Sequence, residues 1–64
     1  MNDDYKAVFS EYDDVVSVED VMKMLHIGRT MVYKLLNDNS IKAVKVGKRF
    51  VIPKLSVIEF ITVQ

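Results

Sequence analysis

Between Leu25 and Arg29 the helical period of this sequence breaks at His26-Ile27-Gly28 and then resumes, and that break constrains the fold more than any other feature. Before it, Val18, Val21, Met22 and Leu25 recur at i, i+3, i+4 and i+7, the spacing of one buried stripe on a helix from about Val18 to Leu25. After it, Val32, Leu35 and Leu36 share one face of a second helix from about Arg29 to Asn37. Gly28 is the residue that most cheaply takes the unusual dihedrals of a tight turn or stands as an N-cap. Ser17 followed by Asp20 resembles a capping box with Asp in place of Glu, and Glu19 and Asp20 put negative charge at the positive end of the first helix dipole.

The second helix also has a readable outer face. With Val32 turned inward, Thr30, Lys34 and Asn37 fall within roughly 40° of the opposite pole at 100° per residue, with Tyr33 on a flank. Asp38-Asn39-Ser40 end that helix as turn formers, and the chain then becomes β-branched. Ala43-Val44-Lys45-Val46 and Phe50-Val51-Ile52 flank Gly47-Lys48-Arg49, which predicts a β-hairpin.

Two registers compete for that hairpin. A Gly47-Lys48 loop pairs Val46 with Arg49 and puts Lys45 on the face of Phe50 and Ile52. A Gly47-Lys48-Arg49 loop pairs Val46 with Phe50 and Val44 with Ile52, gathers all four apolar side chains on one face and turns Lys45 outward. The hydrophobic pattern favours the second. Pro53 is expected to open a final helix running from Lys54 to about Val63, since its missing N–H costs nothing there. Val57, Phe60 and Ile61 supply its inward stripe, while Leu55 and Ile58 fall on another side, to be covered by the N-terminal segment or by a neighbouring copy.

Ahead of all this, residues 1–14 form an acidic leader in which Tyr5, Val8, Phe9 and Tyr12 keep helical spacing, so that it is either a short docking helix or a frayed end. The division expected is a leader over 1–14 and one folded unit over 15–64. A chain of 64 residues makes a single core that buries only about 60% of its unfolded surface. Cysteine is absent, so disulfides and thiolate chemistry are excluded, and a lone His26 cannot build a metal shell. No activated nucleophile, acid–base carboxylate pair or phosphate-cradling loop is present, so the reading is of a protein that is not an enzyme and carries no cofactor. With no apolar run of signal-peptide or membrane-spanning length, the expected location is the cytoplasm.

Formal net charge is zero, yet it is unevenly spread. Residues 1–20 carry Asp3, Asp4, Glu11, Asp13, Asp14, Glu19 and Asp20 against Lys6 alone. Residues 21–64 carry Lys23, Arg29, Lys34, Lys42, Lys45, Lys48, Arg49 and Lys54 against Asp38 and Glu59. A basic region of this kind concentrates near a polyanion, because each phosphate it neutralises releases condensed counterions. Two short helices joined by a tight turn, with donors facing outward from the second, are what a reader of the DNA major groove needs, and a basic hairpin tip beside them reaches the backbone or the minor groove. Arg29, Lys34, Lys45, Lys48, Arg49 and Lys54 are therefore the candidates for phosphate contact.

The runs Ser17-Val18-Glu19-Asp20-Val21, Ile27 to Leu36 and Ala43 to Pro53 resemble the excisionase-type helix-turn-helix domains related to the MerR winged-helix group, over about two-thirds of the chain. The resemblance implies a small α+β winged helix-turn-helix: helix, turn, recognition helix, two-stranded wing, C-terminal helix. It places Arg29, Thr30, Tyr33 and Lys34 at recognition-helix positions and Lys48 and Arg49 at the wing tip, to which the helical projection adds Asn37. Tyr33 serves either to brace the wing or to meet a phosphate. Gly28 stands where the family commonly has Ser, and Met31 where it has a small polar residue. The implied function is double-stranded DNA binding as an accessory factor that bends DNA for excision of a mobile element, with an integrase as partner and copies associating on DNA. The alternative is a small MerR-like transcriptional regulator.

Overall fold

The computed structural model describes residues 9–62. Its elements, in chain order, are β1 (Val15–Val16), α1 (Val18–Leu25), α2 (Arg29–Asn37), β2 (Val44–Val46), β3 (Arg49–Pro53) and α3 (Lys54–Thr62). Helices α1 and α2 have the limits that the periodicity predicts. The capping box is complete: the Asp20 N–H donates to the Ser17 hydroxyl at 3.0 Å, and the Ser17 N–H donates back to the Asp20 carboxylate at 3.1 Å.

Of the two roles open to Gly28, tight turn or N-cap, it takes the second. His26, not Gly28, takes the left-handed conformation, with φ 57°, and it closes the C-terminus of α1. Gly28 is the N-cap of α2 in ordinary extended backbone, φ −81° and ψ 168°, and has no side chain with which to cap. The residue that follows the last buried turn of α1 has to swing the chain aside at once, so the left-handed geometry falls on position 26. Asn39 takes a second left-handed position, φ 65°, after α2.

The sheet is antiparallel in the order β1-β3-β2. The sequence predicts the β2–β3 pair; β1 is an addition, pairing Val15 with Pro53 and Val16 with Ile52. Pro53 is therefore the last residue of β3 rather than the first of a helix, and α3 begins at Lys54.

The hairpin register is the tighter of the two. Val46 pairs with Arg49, Lys45 with Phe50 and Val44 with Val51, closing on a Gly47-Lys48 turn. Gly47 has φ 62° and Lys48 does not share its positive φ, the arrangement of a type II′ turn, whose twist matches that of the flanking strands. Turn geometry thus outweighs the hydrophobic pattern. Val44 and Val46 are left 61% and 58% exposed, because no layer among the described residues covers the outer face of this edge strand. Lys45 sits instead on the inner side, with its ammonium 5.5 Å from the centre of the Phe50 ring.

Val21, Val32, Ile41, Ile52 and Val57, one or more from nearly every layer, are fully buried, each worth about 1.5–3 kcal/mol of transfer free energy. On α3, Ile58 is only 6% exposed and joins the core cluster that also holds Phe9, in keeping with cover by the N-terminal segment, whereas Leu55 is 54% exposed. Phe9 is buried in the same cluster and Tyr12 packs edge-on to it, ring centres 6.0 Å apart. The Lys54 ammonium donates to the carbonyls of Tyr12 at 3.0 Å and Phe9 at 3.4 Å, which fastens this approach segment to the start of α3. Tyr5, Val8 and the expected end of the helix at Val63 lie outside the described residues.

Candidate nucleic-acid interface

Helix α2 is oriented by what it buries. Val32 and Leu36 are in the core, so Arg29, Thr30, Tyr33, Lys34 and Asn37 come out on the solvent side, all exposed. Its first turn has no acidic residue of its own. At its other end Asp38 accepts from the Ser40 N–H at 2.9 Å. The Ser40 hydroxyl first and this backbone bond second hold the Asp38 carboxyl below its ordinary value, with the charge of Lys34 adding to the effect.

The wing presents Lys48 in its turn and Arg49 at the start of β3, both exposed. Strand β1 pairs with Ile52 and Pro53 only, so the Arg49–Val51 stretch of β3 runs beyond it. The gap left there is a cleft of about 380 Å³, lined among others by Ser17, Asp20, Tyr33, Lys48, Arg49 and Phe50. The tip of the wing and the flank of α2 thus border one space. They are joined by an aromatic contact: the Tyr33 and Phe50 rings lie 6.1 Å apart and tilted by 57°, and Lys45 sits over Phe50 from the neighbouring strand.

Of the residues singled out from the sequence, Tyr33, Lys48 and Arg49 come together around this cleft, and Thr30, Lys34 and Asn37 share the outer face of α2. Arg29 is engaged elsewhere, in an ion pair of 3.2 Å with Glu19 of α1. Lys54 is turned toward the carbonyls of residues 9 and 12. Two arrangements were not chosen from the sequence: the face that Lys45 takes, which belongs to the register passed over, and the partner of Arg29. The position of Lys45 follows from the turn type, which Gly47 signals. The Glu19–Arg29 pair joins two helices across ten positions, a separation for which no spacing rule exists.

Among the described residues, no group of three or more His, Asp or Glu could hold a metal ion, and no helix is long and apolar enough to cross a membrane. Residues 15–63 match the family model described as a helix-turn-helix domain. Neither a curated protein nor a solved structure matches the chain.

Proposed function

The chain belongs to the helix-turn-helix domain family, a membership that supports DNA binding, and on that footing we propose that it reads duplex DNA with α2 in the major groove and the β2–β3 wing on the flanking backbone. The observation that carries this reading is the contact of Phe50 with both Lys45 and Tyr33, which ties the basic wing to the flank of α2 and makes them one surface. The major groove, about 12 Å wide, admits one helix. Thr30, Lys34 and Asn37 would then meet base edges, Arg29 a phosphate or base at the helix start, and Lys48 and Arg49 the backbone or minor groove beside it. Tyr33 acts mainly as the brace of the wing.

Within that reading, the role we favour is an accessory factor that bends DNA for a site-specific recombinase of the integrase kind, supported by the sequence resemblance to excisionase-type domains. The DNA-binding unit is residues 15–64, with residues 1–14 as an acidic leader, and the protein acts by binding rather than catalysis, in the cytoplasm. Copies on neighbouring sites would meet through surface aliphatics that include Leu55, 54% exposed on α3. A pool of random duplexes enriched for binding would give the preferred site, and gel mobility of fragments carrying that site at different positions would then report bending. A strong position dependence, with tighter binding to two phased sites than to one that is lost in Leu55→Ser, supports the accessory role; straight DNA and independent filling favour a simple transcriptional regulator.

A further inference from the structure

We propose that Glu19 is a competitor built into the DNA-binding surface: its carboxylate holds the guanidinium of Arg29 in the free protein and has to be displaced by a DNA phosphate when the complex forms. The inference rests on the proposed reading that Arg29 faces DNA. Arg29 is the first residue of α2, and its partner comes from α1, because the first turn of α2 has no acid of its own. In the neighbouring position Asp20 is committed to the capping box through Ser17, which leaves Glu19 as the acid of that turn that reaches Arg29.

The form of the contact fits exchange rather than permanent support. One N–H of the guanidinium bonds one carboxylate oxygen at 3.2 Å, so the pair is not the two-pronged clasp that fixes an arginine rigidly. The side chains are 51% and 71% exposed, accessible to an incoming anion and to salt. Exposed pairs of this kind hold by up to about fivefold in an equilibrium, little enough for a phosphate to overcome. Once displaced, the Glu19 carboxylate remains within a Debye length, about 8 Å at physiological salt, of the phosphate that replaced it, and repels it. Both effects oppose binding, so Glu19 raises the threshold that the remaining contacts have to exceed. They also blunt the salt response, since an arginine already paired contributes less to counterion release.

The test uses the full chain and one labelled duplex, titrated by fluorescence anisotropy over a series of salt concentrations, with wild type, Glu19→Gln, Arg29→Ala and the double variant. Circular dichroism confirms that each is folded. Glu19→Gln is expected to bind about twofold to fivefold tighter at low salt, with a steeper salt slope, by up to about 0.9. In the Arg29→Ala background the same change is expected to have a clearly smaller effect, the remnant of the screened repulsion between Glu19 and the DNA. Weaker binding by Glu19→Gln would overturn the proposal by making Glu19 an orienting partner. Equal tightening with and without Arg29 would overturn it in favour of a general loss of negative charge. An unchanged affinity also overturns it, while leaving the DNA-binding reading intact; failure of the wild type to bind any duplex would instead remove that reading and this inference together.

Discussion

The ring of Tyr33 on α2 lies 6.1 Å from the ring of Phe50 on β3, and this contact joins the wing to the helix beside it. Phe50 is half-buried and shares its inner face of the hairpin with Lys45, so the contact also fixes which side of the wing looks toward α2. If Tyr33 works as a brace, the ring matters and the hydroxyl does not. Tyr33→Phe is expected to bind DNA within about threefold of wild type, whereas Tyr33→Ala loses a ring pair worth about 0.5–1.5 kcal/mol and weakens binding by letting the wing shift. Anisotropy titrations decide it; a large loss in Tyr33→Phe would assign the hydroxyl to a phosphate instead.

Lys54 makes a separate prediction, because its ammonium caps two backbone carbonyls instead of facing outward. Lys54→Met keeps the stem and removes the donors, and is expected to cost about 1–2 kcal/mol in chemical denaturation. The salt slope of DNA binding should be unchanged. A slope reduced by a whole counterion would return Lys54 to the phosphate-contacting set.

The inter-helix turn offers two substitutions that should raise stability. His26 holds φ 57°, a conformation glycine adopts without strain, so His26→Gly is expected to gain about 0.5–1 kcal/mol. At Gly28 an added Cβ meets nothing within 4 Å, and a serine hydroxyl could cap the free N–H groups of α2, for a gain of a few tenths of a kcal/mol. In a domain this small about 1 kcal/mol moves the melting temperature by about 4–8 °C, so thermal unfolding resolves the first change clearly. A lower melting temperature for His26→Gly would contradict the left-handed assignment.

Asp38 gives the fold a dependence on acid. Ser40 holds its folded-state carboxyl below the ordinary value of 3.8, so the stability it contributes is complete above that pH and is lost as pH falls through and below it. Thermal unfolding between pH 7 and pH 3 is expected to show wild type losing more than Asp38→Asn over the acid end, roughly below pH 4. Parallel curves for the two proteins would show that the Ser40 contacts do not stabilise the charged form.

These tests also mark where sequence reasoning reached and where it stopped. The limits of α1 and α2, the capping box and the outward face of α2 were all legible, since each depends on spacing within one helix. The hairpin register was misjudged because the pattern of Val44, Val46, Phe50 and Ile52 favours all four on one buried face, whereas the two-residue turn puts Val44 and Val46 on the opposite face and leaves them exposed. Strand β1 escaped notice because two residues, Val15 and Val16, carry no alternation to read. For Ile58 two covers stood open, the N-terminal segment or a neighbouring copy; Phe9 is buried in the same cluster as Ile58 while Leu55 stays exposed, a choice that helical periodicity within α3 does not make. Partnerships between distant positions, such as Glu19 with Arg29, leave no periodic trace at all.

The central claim, that α2 reads DNA while the wing positions it, is tested most directly by measuring affinity for the preferred duplex and for random duplex, over a series of salt concentrations, in wild type, Lys34→Ala and Lys48→Ala. Wild type should bind with a slope of about −0.9 per phosphate contacted. Lys34→Ala should lose roughly 1–3 kcal/mol on the preferred site and much less on random DNA, and Lys48→Ala should weaken both alike. A wild type whose affinity is flat with salt, or a Lys34→Ala variant with an unchanged ratio of specific to random binding, would contradict the account.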